Sequence, residues 1–253
     1  MNANNENNEN NEFSETTISL ILPTSWQTLT VRQRRYVFYL LAAGYTATEL
    51  KTYCLFRWSG LQVIAPQANG YLVRYQKQSY FLTAHQVAAI LPSLNYLDAL
   101  PTVPIRYDTL HHHRAAAPDL ADFPFGSYLI CDNLYQGYLH TQSLSLLSDL
   151  AAVLYHAPNI RLSDADALSV FYWFAAVKSH FAQRYPHFYS PSSTTSTDNL
   201  QQRLTDAMNA QIRALTHGDI TRETTILQLD THRALTELDA QAHDYQQLQS
   251  AHK

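Results

Sequence analysis

A chain of 253 residues with 46% hydrophobic side chains can bury a sizeable core, either as one domain or as a domain with an appendage. Its formal charge of −4 removes the global positive field that supports non-specific nucleic-acid binding, and its two cysteines, Cys54 and Cys131, are too few for a secreted disulfide framework. The six glycines, Gly44, Gly60, Gly70, Gly126, Gly137 and Gly218, are too dispersed for a loop that cradles phosphate, so both common nucleotide fingerprints are absent.

The charge is unevenly placed. Residues 1–16 carry Glu6, Glu9, Glu12 and Glu15 with no basic side chain, which accounts for the whole excess; residues 17–253 balance at 17 acidic and 17 basic groups. The opening MNANNENNENNE is Asn/Glu-rich low-complexity sequence that reads as a disordered tail, without the basic start and apolar stretch of a signal peptide. Apolar runs such as YVFYLLAA (36–43) and VFYWFAAV (170–177) reach eight residues, short of the ~20 that span a bilayer. A reduced, soluble, cytoplasmic protein with no membrane association is expected.

Scarce glycine and long apolar stripes predict a mainly α body over 17–189, with a small antiparallel β-meander inserted at about 61–83. The body opens with the apolar piece ISLIL (18–22), then Pro23 and Trp26. Thr30 is placed to cap a helix through about Ala43, with Val37, Leu40 and Leu41 on one side. Gly44 ends it, and Thr46 or Thr48 starts a second helix towards Trp58. LQVIA, GYLVRY and SYFLT (61–83) read as the meander, with Asn69-Gly70 as the turn between its first two strands. A further helix fits Ala84–Leu97, and Pro101–Pro124 reads as irregular. Leu144, Leu147, Ala151 and Leu154 step at helical spacing until Pro158. Ser163 and Asp164 are capping candidates for Leu168–Tyr185, a helix apolar nearly all round that belongs in the middle of a core.

SPSSTTSTDN (190–199) reads as a flexible linker to a helical hairpin over 200–253. Leu200, Leu204, Met208, Ile212 and Leu215 form its first stripe. Gly218 is placed for a C-cap and Asp219 for the next N-cap, and Leu227, Ala234, Leu238, Tyr245 and Leu248 continue a stripe on the second helix. Its apolar side must dock, on the body in preference to a partner.

The constellations that carry chemistry are weak. His111, His112 and His113 are consecutive and point in different directions, so at most two can share an ion, and a surface loop is the better reading. Cys131 lies nine residues from His140, with Asp132 and Asn133 beside it. A catalytic thiol needs a base within reach and an electropositive setting; Leu129, Ile130 and Asp132 indicate instead a buried thiol, leaving Cys131, Asp132, Asn133 and His140 as a fallback polar patch. Asp164 and Asp166 suit the positive end of a helix. The 17 tyrosines against four lysines suggest amphipathic contact surfaces.

Two resemblances accompany these readings. LTVRQRRYVFYLLAAGYTATELKTYC (29–54) resembles the opening two helices of the helix-turn-helix family of response-regulator output domains, where LTxRExxVLxLLAxGxSxxEIA is typical. The match then ends, because LFRWSGLQVIA (55–65) stands where the recognition helix should be. A DNA-binding regulator with Arg32, Arg34 and Arg35 touching phosphate is thus the alternative function. Three phrases taken together, PTSWQTLT…LLAAGYTATELK, CDNLYQGYLHTQ and MNAQIRALTHGDITRE…LDTHRALTELDAQA, resemble a group of phage and prophage-associated proteins, and the last is broadly similar to helical tail-assembly accessory proteins. That likeness implies a mobile-element context and a helical fold, with no catalytic residue to carry over. The leading expectation is a non-enzymatic interaction or assembly protein, with no cofactor and no metal, whose partner is another protein; Leu227, Leu238, Tyr245 and Leu248 are the tentative partner-binding residues.

Overall fold

The computed structural model describes residues 18–189 and 200–251; the expected Asn/Glu tail (1–16) and linker (190–199) lie outside the described residues. The fold is mainly α with a small antiparallel sheet. Helices α1 (Val31–Ala42), α2 (Ala47–Ser59) and α3 (Ala84–Ile90) each start on a Thr-x-x-Gln/Glu capping box, Thr30/Gln33, Thr46/Glu49 and Thr83/Gln86. In each, the threonine hydroxyl accepts from the third backbone N–H while the longer side chain reaches back to the cap, satisfying two donors that the helix leaves orphaned. The expected helix Ala84–Leu97 is shorter: it turns into a 3-10 helix over Leu91–Asp98. Pro92 has no N–H to continue the α ladder and its ring crowds the carbonyl of Ala88.

Strands β1 (Gln62–Gln67), β2 (Gly70–Tyr75) and β3 (Gln78–Thr83) form the expected meander. The two-residue loop of its first hairpin is Ala68-Asn69, one place earlier than the sequence suggests, since Gln67 pairs with Gly70. Gly70 serves packing, because a Cβ there would stand 2.0 Å from the Leu82 carbonyl oxygen of β3. The segment expected to be irregular holds a second small hairpin, β4 (Thr109–Leu110) with β5 (His113–Arg114). His111 and His112 form its turn, both at positive φ, as a two-residue turn between right-twisted strands requires.

The core is built on α6 (Asp164–Arg184), as its all-round apolar sequence dictates. Ser163 caps it, and Val170, Trp173, Phe174, Ala176, Val177 and Phe181 are buried along it. It packs on α1 and on α5 (Leu144–Leu154), and α5 packs on α4 (Phe125–Thr141). The irregular chain from 99 to 124 is pinned by donors from its neighbours: Trp26 Nε1 to Ala99 O (2.9 Å), Tyr155 OH to Tyr107 O (3.0 Å) and Trp173 Nε1 to Pro118 O (2.8 Å). Each ring thereby buries its body and satisfies a carbonyl with its polar edge.

Residues 200–251 join the same hydrophobic core, with Leu215, Ala234, Leu235 and Leu238 buried against the rest. Helix α7 (Leu200–Thr216) ends at Gly218 with φ of 82°, the left-handed position that only glycine takes at no cost. The single second arm expected after Asp219 is broken. Asp219 caps a 3-10 turn (Ile220–Arg222), α8 (Glu223–Leu227) follows, and the long helix α9 (Thr231–Ala251) starts afresh at Asp230, whose carboxylate accepts from Arg233 N at 3.0 Å. The break pairs with the start of α4: Phe125 N donates to Leu229 O (2.8 Å), and Thr231 donates to Phe123 O from both N (2.9 Å) and Oγ1 (2.6 Å). Long-range backbone bonding has taken carbonyls and amides that a continuous helix would have paired internally.

Candidate functional site

Three polar groupings stand out from the apolar body. The first lies between α4 and α6. Tyr128 and Asp132 are one helical turn apart on α4, and Lys178 reaches them from α6. Lys178 Nζ donates to Tyr128 OH at 3.2 Å and lies 2.8 Å from Asp132 Oδ1, an ion pair outside the angular range of a hydrogen bond. The Tyr128 hydroxyl also meets that of Tyr189, and the ammonium stands 4.8 Å from the centre of the Tyr189 ring. Burial, reinforced by the Asp132 charge, raises the Tyr128 phenol well above its usual range. Burial also raises that of Tyr189. Both phenols therefore stay protonated at neutral pH, and one donates to the other across the gap between α4, α6 and the turn after α6.

The fallback patch does not converge. Cys131 faces the interior, where burial, with a smaller effect from Asp132, raises its thiol far above the reactive range. His140 is exposed near the end of α4, about 13 Å further along the helix axis at 1.5 Å per residue. Asp132 belongs to Lys178, and Asn133 Nδ2 turns outward to Met208 Sδ of α7 at 3.7 Å. The sequence places these four residues together, and the helix sends them to different sides. The other thiol, Cys54 on α2, is likewise buried, which pushes it up to about 12.

The second grouping holds α9 to the body. Tyr185 OH lies 2.8 Å from His232 Nδ1, and His232 Nε2 lies 2.9 Å from Asp119 O. A carbonyl only accepts, so Nε2 carries a proton, and the Tyr185 hydroxyl also donates to the His232 carbonyl oxygen at 3.3 Å. Further along, Asp239 accepts from the backbone N–H of His187 (2.8 Å) and Phe188 (2.9 Å), and the rings of His187 and His243 face each other at 4.4 Å. Among the described residues, no three His, Cys, Asp or Glu side chains are placed to hold a metal ion, the 111–113 histidines included. A shallow depression of about 500 Å³ near the end of α7 is lined by Ala210, Arg213, Ala214, His217, Gly218 and Gln241.

The third grouping is the outer face of α1 and α2. Arg32, Arg35, Tyr36 and Tyr39 share one side of α1, since spacings of three and four return to the same face, and Glu49, Tyr53 and Arg57 share one side of α2. The tyrosines meet across the two helices: the Tyr45 and Tyr53 rings pack edge to face at 5.0 Å, and the Arg57 guanidinium stands over Tyr36 at 5.6 Å. The neighbouring Tyr53, with smaller help from burial and Tyr39, raises the Tyr45 phenol; burial raises that of Tyr36. Tyr39 is 60% exposed and Tyr53 46%. Sequence reasoning registered the abundance of tyrosine but not this cluster, which becomes visible only when Tyr45 in the loop is set beside both helices.

The residues singled out for DNA do not act together. Arg34 points inward, donating to Arg106 O at 2.9 Å, Arg35 is exposed but lays its guanidinium over the Tyr107 ring at 5.2 Å, and Arg32 is exposed. Strand β1 follows α2 where a recognition helix would stand. The tentative partner-binding stripe divides as well. Leu227 packs on Gly126 of α4 and Leu238 is buried in the core, so neither is free for a partner, whereas Tyr245 and Leu248 are each 62% exposed. The single stripe assumed one continuous helix, and the restart at Asp230 separates Leu227 from the rest.

Among the described residues no helix is long and apolar enough to cross a membrane. No protein-family model matches the sequence, and comparison with curated proteins and with solved structures gave no match.

Proposed function

We propose that this chain is a non-enzymatic interaction protein that docks another protein through the outer face of α1 and α2, in an assembly or accessory role of the kind the phage and prophage resemblance implies. The observation that carries this reading is the exposed cluster of Tyr39, Tyr45 and Tyr53 on two capped helices. Tyrosine offers a large contact area with little rotamer entropy to lose, and its hydroxyl makes a hydrogen bond at the edge of the contact. Many of the others are absorbed in the core, where Tyr128, Tyr135, Tyr138, Tyr155 and Tyr185 are buried, while Tyr245 stands exposed by itself near the end of α9. The α1–α2 face keeps its rings in solvent on a rigid support, which suits recognition without reordering.

The reading is tested with a photo-crosslinkable residue at position 39, in the cell that makes the protein, followed by identification of the adduct. The captured protein should fail to bind a Y39A/Y45A/Y53A variant that keeps its helical circular dichroism. Retention of that protein by the triple variant would show that the face is not the docking surface.

A further inference from the structure

The same face carries arginines that no carboxylate answers among the described residues. Residues 17–253 balance at 17 charges of each sign, and two cations beside α1 and α2 are neutralised on the spot. Lys51 pairs with Asp98 at 2.7 Å, and Arg106 pairs with Asp108. Arg32, Arg35 and Arg57 have no carboxylate partner among the described residues. Arg32 also stands in the first turn of α1, which holds no acidic residue, so its charge adds to the positive end of the helix dipole. Glu49, the acid on the α2 stripe, is committed to its cap, where Oε2 accepts from Thr46 N (2.9 Å) and Thr46 Oγ1 (2.8 Å). The face is therefore positive, and its phenol hydroxyls add neutral donors beside the guanidiniums.

We infer that the partner of this face is an acidic stretch of polypeptide, held by Arg32, Arg35 and Arg57 and seated on Tyr39, Tyr45 and Tyr53. This rests on the docking reading above. Carboxylates match guanidinium geometry and accept from phenols, so one chemistry satisfies both parts of the surface. A nucleic-acid backbone fits less well. It needs a run of cations along its track and open ring faces for bases, whereas this face has three separated arginines, and Tyr45 and Tyr53 cover each other at an interplanar angle of 69°.

The test is fluorescence polarisation with the full chain and a labelled oligoglutamate peptide, with oligoglutamine as the neutral control and single-stranded oligothymidylate as the competing polyanion. The glutamate peptide should bind at low ionic strength and weaken as salt is added. The R32E/R35E/R57E variant should bind it roughly tenfold or more weakly while keeping its helical circular dichroism. Absence of binding at low ionic strength, binding untouched by the charge reversal, or tighter binding of oligothymidylate through the same arginines would each overturn the inference. The protein captured at position 39 separates the two claims. If R32E/R35E/R57E keeps it and Y39A/Y45A/Y53A loses it, the acidic partner is wrong and the docking face stands; if both variants keep it, the docking face itself is wrong.

Discussion

The cluster of Tyr128, Tyr189, Lys178 and Asp132 between α4 and α6, and the cluster of Tyr36, Tyr39, Tyr45, Tyr53 and Arg57 on α1 and α2, use the same ingredients, phenols and a cation. They differ in burial. In the first, Tyr128 is almost fully buried and the lysine is answered by a carboxylate 2.8 Å away and by two rings. In the second, Tyr39, Tyr45 and Tyr53 stand in solvent and the arginine has no carboxylate partner among the described residues. A buried charge must be paired or the fold loses stability. An exposed one is hydrated at little cost and stays available. The comparison teaches that surroundings, more than residue type, separate a structural cluster from a recognition surface here.

The sharpest way to break the contrast is Lys178→Ala. It leaves Asp132 without its partner and opens space between α4 and α6, and should cost about 3 kcal/mol in chemical denaturation, the lower end for a broken buried pair because both groups keep some solvent contact. Adding Asp132→Leu should recover part of that loss; no recovery would mean the pair is not the source. Tyr128→Phe should cost about 1 kcal/mol, because it removes the hydroxyl that Lys178 and Tyr189 share and leaves them imperfectly satisfied.

An effect of similar size is expected in alkali. The Cys54 thiol, held up to about 12 by burial, stays neutral in the fold but ionises in the unfolded chain above its ordinary value near 9. Its contribution is thus fully present below about pH 9 and is lost as pH rises toward 12, by about 1 kcal/mol over the first unit. Cys54→Ala should flatten that part of the stability–pH curve, and an unchanged slope would assign the loss to the tyrosines. The smallest effect belongs to the exposed face. R32E/R35E/R57E should move unfolding stability by no more than about 1 kcal/mol, the share of the cation–ring contacts of Arg35 with Tyr107 and Arg57 with Tyr36. A larger loss would place these arginines among the structural groups.

Much of the local structure was legible in advance. Thr30/Gln33 and Thr46/Glu49 are adjacent in sequence, so their caps follow from spacing alone, and Gly218 needs a positive φ whatever packs around it. The run VFYWFAAV (170–177) in the middle of α6 is apolar on every side and leaves no exposed position there. Misreadings occurred where distant chain competes for backbone groups. Asp230 heads α9 because residues 229–231 bond to 123–125, a pairing that no window around Asp230 contains, although an aspartate three places before Arg233 is itself a cap signal. The candidate site was harder to read. Cys131, Asp132, Asn133 and His140 looked like one patch because they are neighbours in the chain, whereas successive residues on a helix point about 100° apart. The tyrosine face went unnoticed because Tyr36, Tyr45 and Tyr53 lie on two helices and the loop between them, and meet only when α1 and α2 pack.

By itself the sequence determined a mainly α chain, the start of α1, those of α2 and α6 to within a residue or two, a three-stranded meander, and a body of balanced charge, because capping, periodicity and composition act over a few residues or over the whole chain. Tertiary structure alone decided which tyrosines are buried and which face solvent, which cations meet a carboxylate, and where the C-terminal arm breaks. Those outcomes depend on groups brought together from distant positions, and their free energies are set by burial and partner distance, which local spacing does not specify.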